Sequence, residues 1–140
     1  MTVVDASVAV KWFVQERDSY LARRMLEEQQ GYLHIPDIFV VEVSAVLVRN
    51  ANVTKADHTF FRAGLFHLID LIDRQSILLN RTPPGMVVDA GHIAIDLGHP
   101  LKDCIYLALA MELGCPLLTA DAKFAAKARE AYGEVQVLGE

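Results

Sequence analysis

The feature that most constrains the fold of this chain is the alternation of short β-branched runs with longer segments of helical periodicity. This alternation extends through all 140 residues. It is typical of an α/β domain in which helices connect parallel strands. We therefore expect a three-layer sandwich with a central, mostly parallel sheet of four to five strands flanked by helices. The length suits one domain, which we predict to span residues 1–140.

The boundaries of the predicted elements follow from periodicity and from residues that begin or end helices. Gly98 ends a helix, Pro36 fits the first turn of another, and Thr54-x-x-Asp57 resembles a capping box with Asp in the usual Glu position. Strands are predicted at 2–5, 32–35, 76–79, 116–119 and 134–137. Helices are predicted at 7–13, 18–30, 36–50, 54–73, 84–97, 102–113 and 122–131.

Three aspartates lie at junctions between these predicted elements. Asp5 ends the first strand, Asp121 follows the fourth strand, and Asp103 opens a helix. The carboxyl ends of parallel strands lie along one edge of a sheet, and ligands bind in the crevice there. Each aspartate alone could serve as a helix N-cap. Caps need not face one another, however, so the joint arrangement favours a cluster.

A fourth acid, Glu42, interrupts the segment 38–48, which is apolar nearly all round. We expect that helix to be buried or nearly so, and a glutamate within it is costly unless it is paired or bound to a metal. The alternative is an exposed position beside Arg49. Carboxylates gathered in one cleft repel each other, and a hard cation such as Mg²⁺ or Mn²⁺ relieves the repulsion. Such a site can activate water against a phosphodiester.

Charge and motif content argue against several other classes of protein. The net charge of −5 disfavours a broad basic face for nucleic acid, but not an enzyme that approaches phosphates through a bound metal. No glycine-rich nucleotide-binding loop, Gly-x-Ser-x-Gly motif or zinc-ligand spacing occurs. We therefore interpret the five histidines as surface or packing residues.

The sequence also bears on location. No apolar run reaches the roughly 18 residues that a membrane helix requires, and the N-terminus lacks the features of a secretory leader. Cys104 and Cys115 form no Cys-x-x-Cys motif, which favours buried thiols in a reducing compartment. We expect a cytoplasmic protein that does not act at membranes.

The segments around the four acids resemble those of PIN-domain nucleases, in particular the VapC-type toxins of toxin–antitoxin pairs. The likeness covers essentially the whole chain. It consists of four segments in the family's order, each with one acid: 3–13, 40–43, 101–110 and 117–121. The resemblance implies a sandwich of helices around a parallel sheet and Mg²⁺- or Mn²⁺-dependent cleavage of RNA. It also implies a homodimer and inhibition by a cognate antitoxin protein.

The same resemblance implies roles for individual residues. Asp5, Asp103 and Asp121 would be metal ligands, and Glu42 would complete the catalytic set that holds the metal or positions the attacking water. Two hydroxyls would support these acids, unless they serve only as a helix cap and a strand-end hydrogen bond: Ser7 and Thr119. Three lysines could contact the RNA backbone, and are otherwise solvated surface residues: Lys11, Lys102 and Lys123.

Two other functions stay open on the sequence. The chain could be a catalytically silent PIN-like module that acts through a protein or RNA partner. It could also be a metal phosphoesterase for DNA or nucleotides. One further choice concerns the helix predicted at 54–73, whose phenylalanines are expected in the core or, alternatively, on a surface for dimerisation or for the antitoxin: Phe60, Phe61 and Phe66.

Overall fold

The computed structural model describes residues 1–140, with one or two helices between successive strands. The strands are β1 (Thr2–Val4), β2 (Leu33–Pro36), β3 (Ile77–Asn80), β4 (Leu117–Thr119) and β5 (Val135–Val137). The helices are α1 (Ala6–Phe13), α2 (Ser19–Glu28), α3 (Ile38–Val53), α4 (Thr59–Asp73), α5 (Pro84–Leu97), α6 (Leu101–Leu113) and α7 (Ala122–Ala131). None of these helices has both the length and the hydropathy needed to span a bilayer.

The sheet has the order β3-β2-β1-β4-β5, and every neighbouring pair is parallel. This confirms the α/β sandwich predicted from the alternation. The chain first adds strands on one side of β1 and then returns to add β4 and β5 on the other side. The crevice outside the carboxyl ends of the strands at such a reversal is where open parallel sheets bind ligands. Asp5 after β1 and Asp121 after β4 both lie at this reversal.

The centre of the fold is made by β1 and α6. Val3 and Val4 of β1 are fully buried, and α6 buries seven consecutive residues, 104–110. A helix that is apolar all round belongs inside a domain, so the composition of α6 explains its position. Asp103 precedes this buried run by one residue, and the core therefore fixes the start of the helix on which Asp103 lies.

Two of the predicted helix starts are wrong. Pro36 is the last residue of β2, where it lies opposite Asn80, and α3 begins only at Ile38. Thr54 does not open a helix, because its hydroxyl donates a 2.7 Å hydrogen bond back to the carbonyl of Asn50 at the end of α3. The next helix begins at Thr59. Hydroxyls that bond to a carbonyl four residues earlier compete with capping of a new helix.

The predicted burial of α3 on all sides is also wrong. Only Phe39, Val43 and Leu47, which share one stripe, are fully buried, because α3 packs against α1 and α4 and not within a closed layer. Gly64 of α4 allows the close approach, since a Cβ there would lie 3.3 Å from the Leu47 side chain. The outer side of this helix pair carries exposed apolar residues, including two that were expected in the core: Phe60 and Phe66.

This burial pattern predicts different costs for two phenylalanine truncations. Phe39→Ala should lower the free energy of unfolding by about 3–5 kcal/mol, because removal of a fully buried ring leaves a cavity. Phe60→Ala should cost no more than about 0.5–1.5 kcal/mol, because the exposed ring loses chiefly its edge contact with Phe61. Urea unfolding followed by circular dichroism measures both. Equal losses would contradict the burial described here.

Candidate active site

All four predicted acids line one cavity of about 420 Å³ at the carboxyl ends of β1 and β4. The cavity brings together side chains from α1, α3, α6 and the start of α7. The acids share its wall with three other polar residues: Ser7, Arg49 and Lys102. A separate cavity of about 600 Å³ between α5 and α6 contains none of the predicted site residues. The carboxylate cavity is therefore the candidate active site.

Asp5 is the most buried of the four acids, with 3% of its surface exposed. Ser7 Oγ and Thr119 Oγ1 both donate to its Oδ2, at 2.5 and 2.8 Å. These hydroxyls also accept hydrogen bonds from the backbone, Ser7 from Ala120 N and Thr119 from Asp121 N. Asp5 makes no side-chain cap bond to α1, so helix capping does not account for it. The two hydroxyls instead tie the end of β1 to the end of β4.

Burial and neighbouring charge shift the pKa of Asp5. Its removal from water raises the pKa from the usual 3.8 to about 6, against the lowering effect of the Ser7 and Thr119 hydrogen bonds. The negative charges of Asp103 and Glu42 raise the pKa further. Three acids from distant parts of the sequence therefore interact electrostatically within one cavity.

Glu42 is held by two residues of α6. The Tyr106 hydroxyl donates to Oε1 at 2.8 Å, and the Lys102 ammonium lies 3.7 Å from Oε2. Tyr106 is fully buried, and burial together with the Glu42 charge raises the pKa of its phenol, so the hydroxyl keeps its proton and stays a donor. Sequence analysis missed Tyr106. The available signal was a tyrosine within an apolar run, since a buried tyrosine hydroxyl requires a polar partner.

Asp103 and Asp121 each have a different partner. His99 Nε2 lies 2.6 Å from Asp103 Oδ2, and the imidazole stacks on the Phe124 ring. Asp121 caps α7 by accepting a 3.0 Å hydrogen bond from the Phe124 backbone N–H. Asp121 thus caps a helix and lines the cavity at the same time. The histidines were expected to be surface or packing residues, and His99 packs against the Phe124 ring. Its contact with Asp103 was not predicted.

The three predicted lysines have different surroundings. Lys11 donates to the Arg17 carbonyl at 2.7 Å and lies 3.9 Å from a Glu16 oxygen, so its ammonium is engaged by a neighbouring loop. Lys102 contacts Glu42 at the cavity wall and is largely exposed. Lys123 is exposed and lines a shallow depression that adjoins the carboxylate cavity. Arg49, which was not predicted to bind RNA, is exposed and lines both the carboxylate cavity and the adjoining depression.

The donor chemistry of the site fits a hard divalent cation. Mg²⁺ and Mn²⁺ prefer oxygen ligands, and a cation would relieve the repulsion that Asp103 and Glu42 exert on Asp5. In the structure each carboxylate is held by its own hydrogen-bond partner. No three carboxylate, imidazole or thiol side chains are drawn together closely enough to hold one ion. A metal ligand set therefore requires these side chains to move toward one point.

Comparison with known proteins gives a consistent family and fold. The PIN domain family model matches residues 2–130. No curated protein sequence matches the chain significantly. Similar solved structures include PAE2754 from Pyrobaculum aerophilum, with 19% identity, a TM-score of 0.72, and 98% of this chain and 88% of that chain covered.

Two other solved structures share the fold at lower identity. Mycobacterium tuberculosis VapC20, a toxin that cleaves the sarcin-ricin loop, has 14% identity and a TM-score of 0.71, with 90% of this chain and 94% of that chain covered. FitAB bound to the IR36 DNA fragment has 13% identity and a TM-score of 0.69, with 98% of this chain and 93% of that chain covered.

The buried carboxylate predicts a pH-dependent gain in stability for Asp5→Asn. Above about pH 6 the Asp5 carboxyl is ionised in the folded protein, and its buried charge lowers the free energy of unfolding. Near pH 4 the Asp5 carboxyl is protonated in the folded protein, and most of this loss of stability is absent. The difference between 3.8 and about 6 corresponds to about 3 kcal/mol. In urea unfolding with EDTA, Asp5→Asn should therefore stabilise the protein by up to about that amount at pH 8, and much less near pH 4.

The matched control for this experiment is Asp96→Asn, since Asp96 is an exposed aspartate of α5 outside the cavity. Its stability relative to the unaltered protein should stay nearly constant across the same pH range. A gain for Asp5→Asn that does not change between pH 4 and pH 8 would show that burial of charge is not its cause.

Proposed function

The chain belongs to the PIN domain family, and on that premise we propose that it is a metal-dependent endoribonuclease, the toxin of a toxin–antitoxin pair. The observation that carries the proposal is the convergence of Asp5, Glu42, Asp103 and Asp121 on one cavity at the reversal of the sheet. These residues come from four separate segments of the chain, and nothing in helix capping or packing requires them to share a cavity.

We assign the acids distinct roles in hydrolysis. Asp5, Asp103 and Asp121 would hold Mg²⁺ or Mn²⁺, which would polarise a phosphate oxygen and make a bound water more acidic. Glu42, fixed by Tyr106 and Lys102, orients the attacking water and accepts its proton. Water adds at phosphorus, the bond to the 3′ oxygen breaks, and the departing 3′ oxygen takes a proton from solvent, which leaves a 5′ phosphate and a 3′ hydroxyl. Ser7 and Thr119 hold the Asp5 carboxylate at the end of β1 through their hydrogen bonds to Oδ2.

The basic residues beside the cavity support an RNA substrate. The net charge of −5 disfavours a broad basic surface, so we expect the contacts to phosphates to be local. Lys102 and Arg49 lie at the cavity, and Lys123 lies with Arg49 at the adjoining depression. We propose that the RNA backbone follows these three side chains. Lys11 contributes less to binding, because its ammonium is already hydrogen-bonded to the Arg17 carbonyl.

The nuclease proposal predicts that Asp103→Asn abolishes metal-dependent cleavage. Loss of one anionic ligand removes several kcal/mol of transition-state stabilisation, which is a decrease of at least about a hundredfold in rate. The measurement is cleavage of total RNA and of a structured RNA with Mg²⁺, Mn²⁺ or EDTA. Asp96→Asn is the control, because it removes an exposed aspartate outside the cavity.

Parallel assays with DNA and nucleotides distinguish the alternatives. Cleavage of DNA or nucleotides but not RNA would favour another phosphoesterase activity. RNA binding that survives loss of all four acids, without metal-dependent cleavage of any substrate, would favour a binding module. Full activity in Asp103→Asn would contradict the roles assigned to the site.

Family membership also leads us to propose two protein partners, a cognate antitoxin and a second copy of this chain. For the second copy, we assign the interface to an exposed stripe of α4 formed by Arg62, Phe66, Ile69 and Asp73. These residues recur at helical spacing on one face, and Phe66 is 77% exposed. The stripe is symmetric about a point between residues 67 and 68. Arg62 and Asp73 lie at equal distances from this point in sequence, and so do Phe66 and Ile69.

This symmetry suits an isologous dimer. Antiparallel packing of two α4 helices about a two-fold axis places Arg62 opposite the partner's Asp73, and Phe66 opposite the partner's Ile69. Opposite charges then meet at both ends of an apolar contact. A stripe with one sign of charge at both ends would not be self-complementary in this way.

The α4 interface predicts that Phe66→Asp and Arg62→Glu each convert a dimer to a monomer. The double variant Arg62→Glu/Asp73→Arg should restore the dimer, because the symmetric charge pairs are re-formed with exchanged signs. Light scattering coupled to gel filtration gives the mass of each variant. Ile95→Asp is the control, as Ile95 is equally exposed but lies on α5. A monomeric unaltered protein, or a dimer that survives Phe66→Asp, would contradict the assignment of this stripe to a dimer interface.

A further inference from the structure

His99 lies between an aromatic ring and an acid of the candidate site. Its Nε2 is 2.6 Å from Asp103 Oδ2, and its ring is stacked on Phe124 with centroids 4.7 Å apart and planes 25° apart. Because a carboxylate oxygen only accepts hydrogen bonds, the hydrogen of this contact belongs to the imidazole. The His99 side chain is 11% exposed and Asp103 is 29% exposed, so the contact is largely shielded from water.

The backbone around His99 is fixed independently of this contact. Gly98 ends α5 in the left-handed conformation, with φ of 62°, and the His99 N–H donates to the Ala94 carbonyl at 3.0 Å. The Lys127 ammonium of α7 donates to the Gly98 carbonyl at 3.0 Å. The turn between α5 and α6 is therefore attached to α7, and the imidazole is presented to Asp103 from an anchored position.

Phe124 connects this arrangement to a second acid. Its ring supports His99, while its backbone N–H donates to Asp121 Oδ1 at 3.0 Å. Phe124 is fully buried and begins the apolar side of α7. One core residue therefore holds Asp121 directly and Asp103 through His99. The two acids come from different helices, so their relative position depends on such a shared support.

We propose that His99 is a positioning residue of the metal site, which orients Asp103 from the Phe124 ring and leaves Asp103 Oδ1 for the cation. The proposal rests on the proposed function, because it assumes that Asp103 binds Mg²⁺ or Mn²⁺. Metal-binding carboxylates are usually held by hydrogen bonds from residues behind them, and loss of such a partner typically costs about 10–100-fold in metal affinity or activity.

Two substitutions separate this role from simple packing. His99→Phe keeps an aromatic ring on Phe124 but removes the donor, whereas His99→Gln keeps an N–H donor but removes the stacked ring. Positioning predicts that His99→Phe weakens Mn²⁺ binding by about 10–100-fold and that His99→Gln stays near the unaltered protein. Packing alone predicts the reverse order. His92→Phe is the control, because His92 is an exposed histidine of α5.

Isothermal titration with Mn²⁺, in the absence of RNA, measures affinity directly, and thermal unfolding shows whether each variant is folded. If His99→Phe does not fold, His99→Leu replaces it, because leucine also lacks a hydrogen-bond donor. Cleavage assays should show a higher Mn²⁺ requirement in the donor-less variants, with the RNA KM little changed. Equal Mn²⁺ affinity in His99→Phe and the unaltered protein would overturn the positioning role but leave the nuclease proposal intact. Absence of Mn²⁺ binding to the unaltered protein would overturn both.

Discussion

The architecture of the candidate site depends on a carboxylate held in the interior at the end of the central strand. Asp5 follows Val3 and Val4, which are fully buried, and it is itself almost fully removed from water. An unpaired charge in this position would be strongly unfavourable. The Ser7 and Thr119 hydroxyls compensate part of that cost, and in doing so they join β1 to β4 at the reversal of the sheet. The cavity is built around this buried group.

The remaining acids are each held by a different neighbour. Glu42 is bound by Tyr106 and Lys102, Asp103 by His99, and Asp121 by the backbone of Phe124. The cluster is therefore a set of separately anchored carboxylates that face one cavity. Burial raises the pKa of Asp5, and repulsion by the negative charges of Asp103 and Glu42 raises it further. A cation that binds in this cavity would offset the unfavourable free energy of the buried Asp5 charge and of its repulsion by the other carboxylates.

Much of the fold and the identity of the acids could be predicted from the sequence, because both leave local signals. Alternating short apolar runs and helical segments predict a parallel sheet. Asp5 follows β1 directly, and Asp121 follows β4 after one residue. The predictions failed where a local signal competes with packing. Thr54 resembles a cap but bonds back to α3, and Phe66 resembles a core residue but lies on the outer side of α4. A tyrosine within an apolar run signals that the Tyr106 hydroxyl needs a polar partner, but His99 carries no comparable signal. In both cases the identity of the partner, Glu42 or Asp103, depends on contacts that the sequence does not display.

The sequence by itself determined that short strands alternate with helices, that Asp5 and Asp121 lie close to the ends of strands, and which side chains carry negative charge. These properties depend on periodicity and residue type, which are local. Only the tertiary structure decided that the charges share one cavity, which neighbour holds each of them, and which apolar faces remain exposed. Those outcomes depend on the order of the strands and on contacts between residues far apart in the chain. Asp5 and Thr119, for example, are 114 positions apart and meet through one 2.8 Å hydrogen bond.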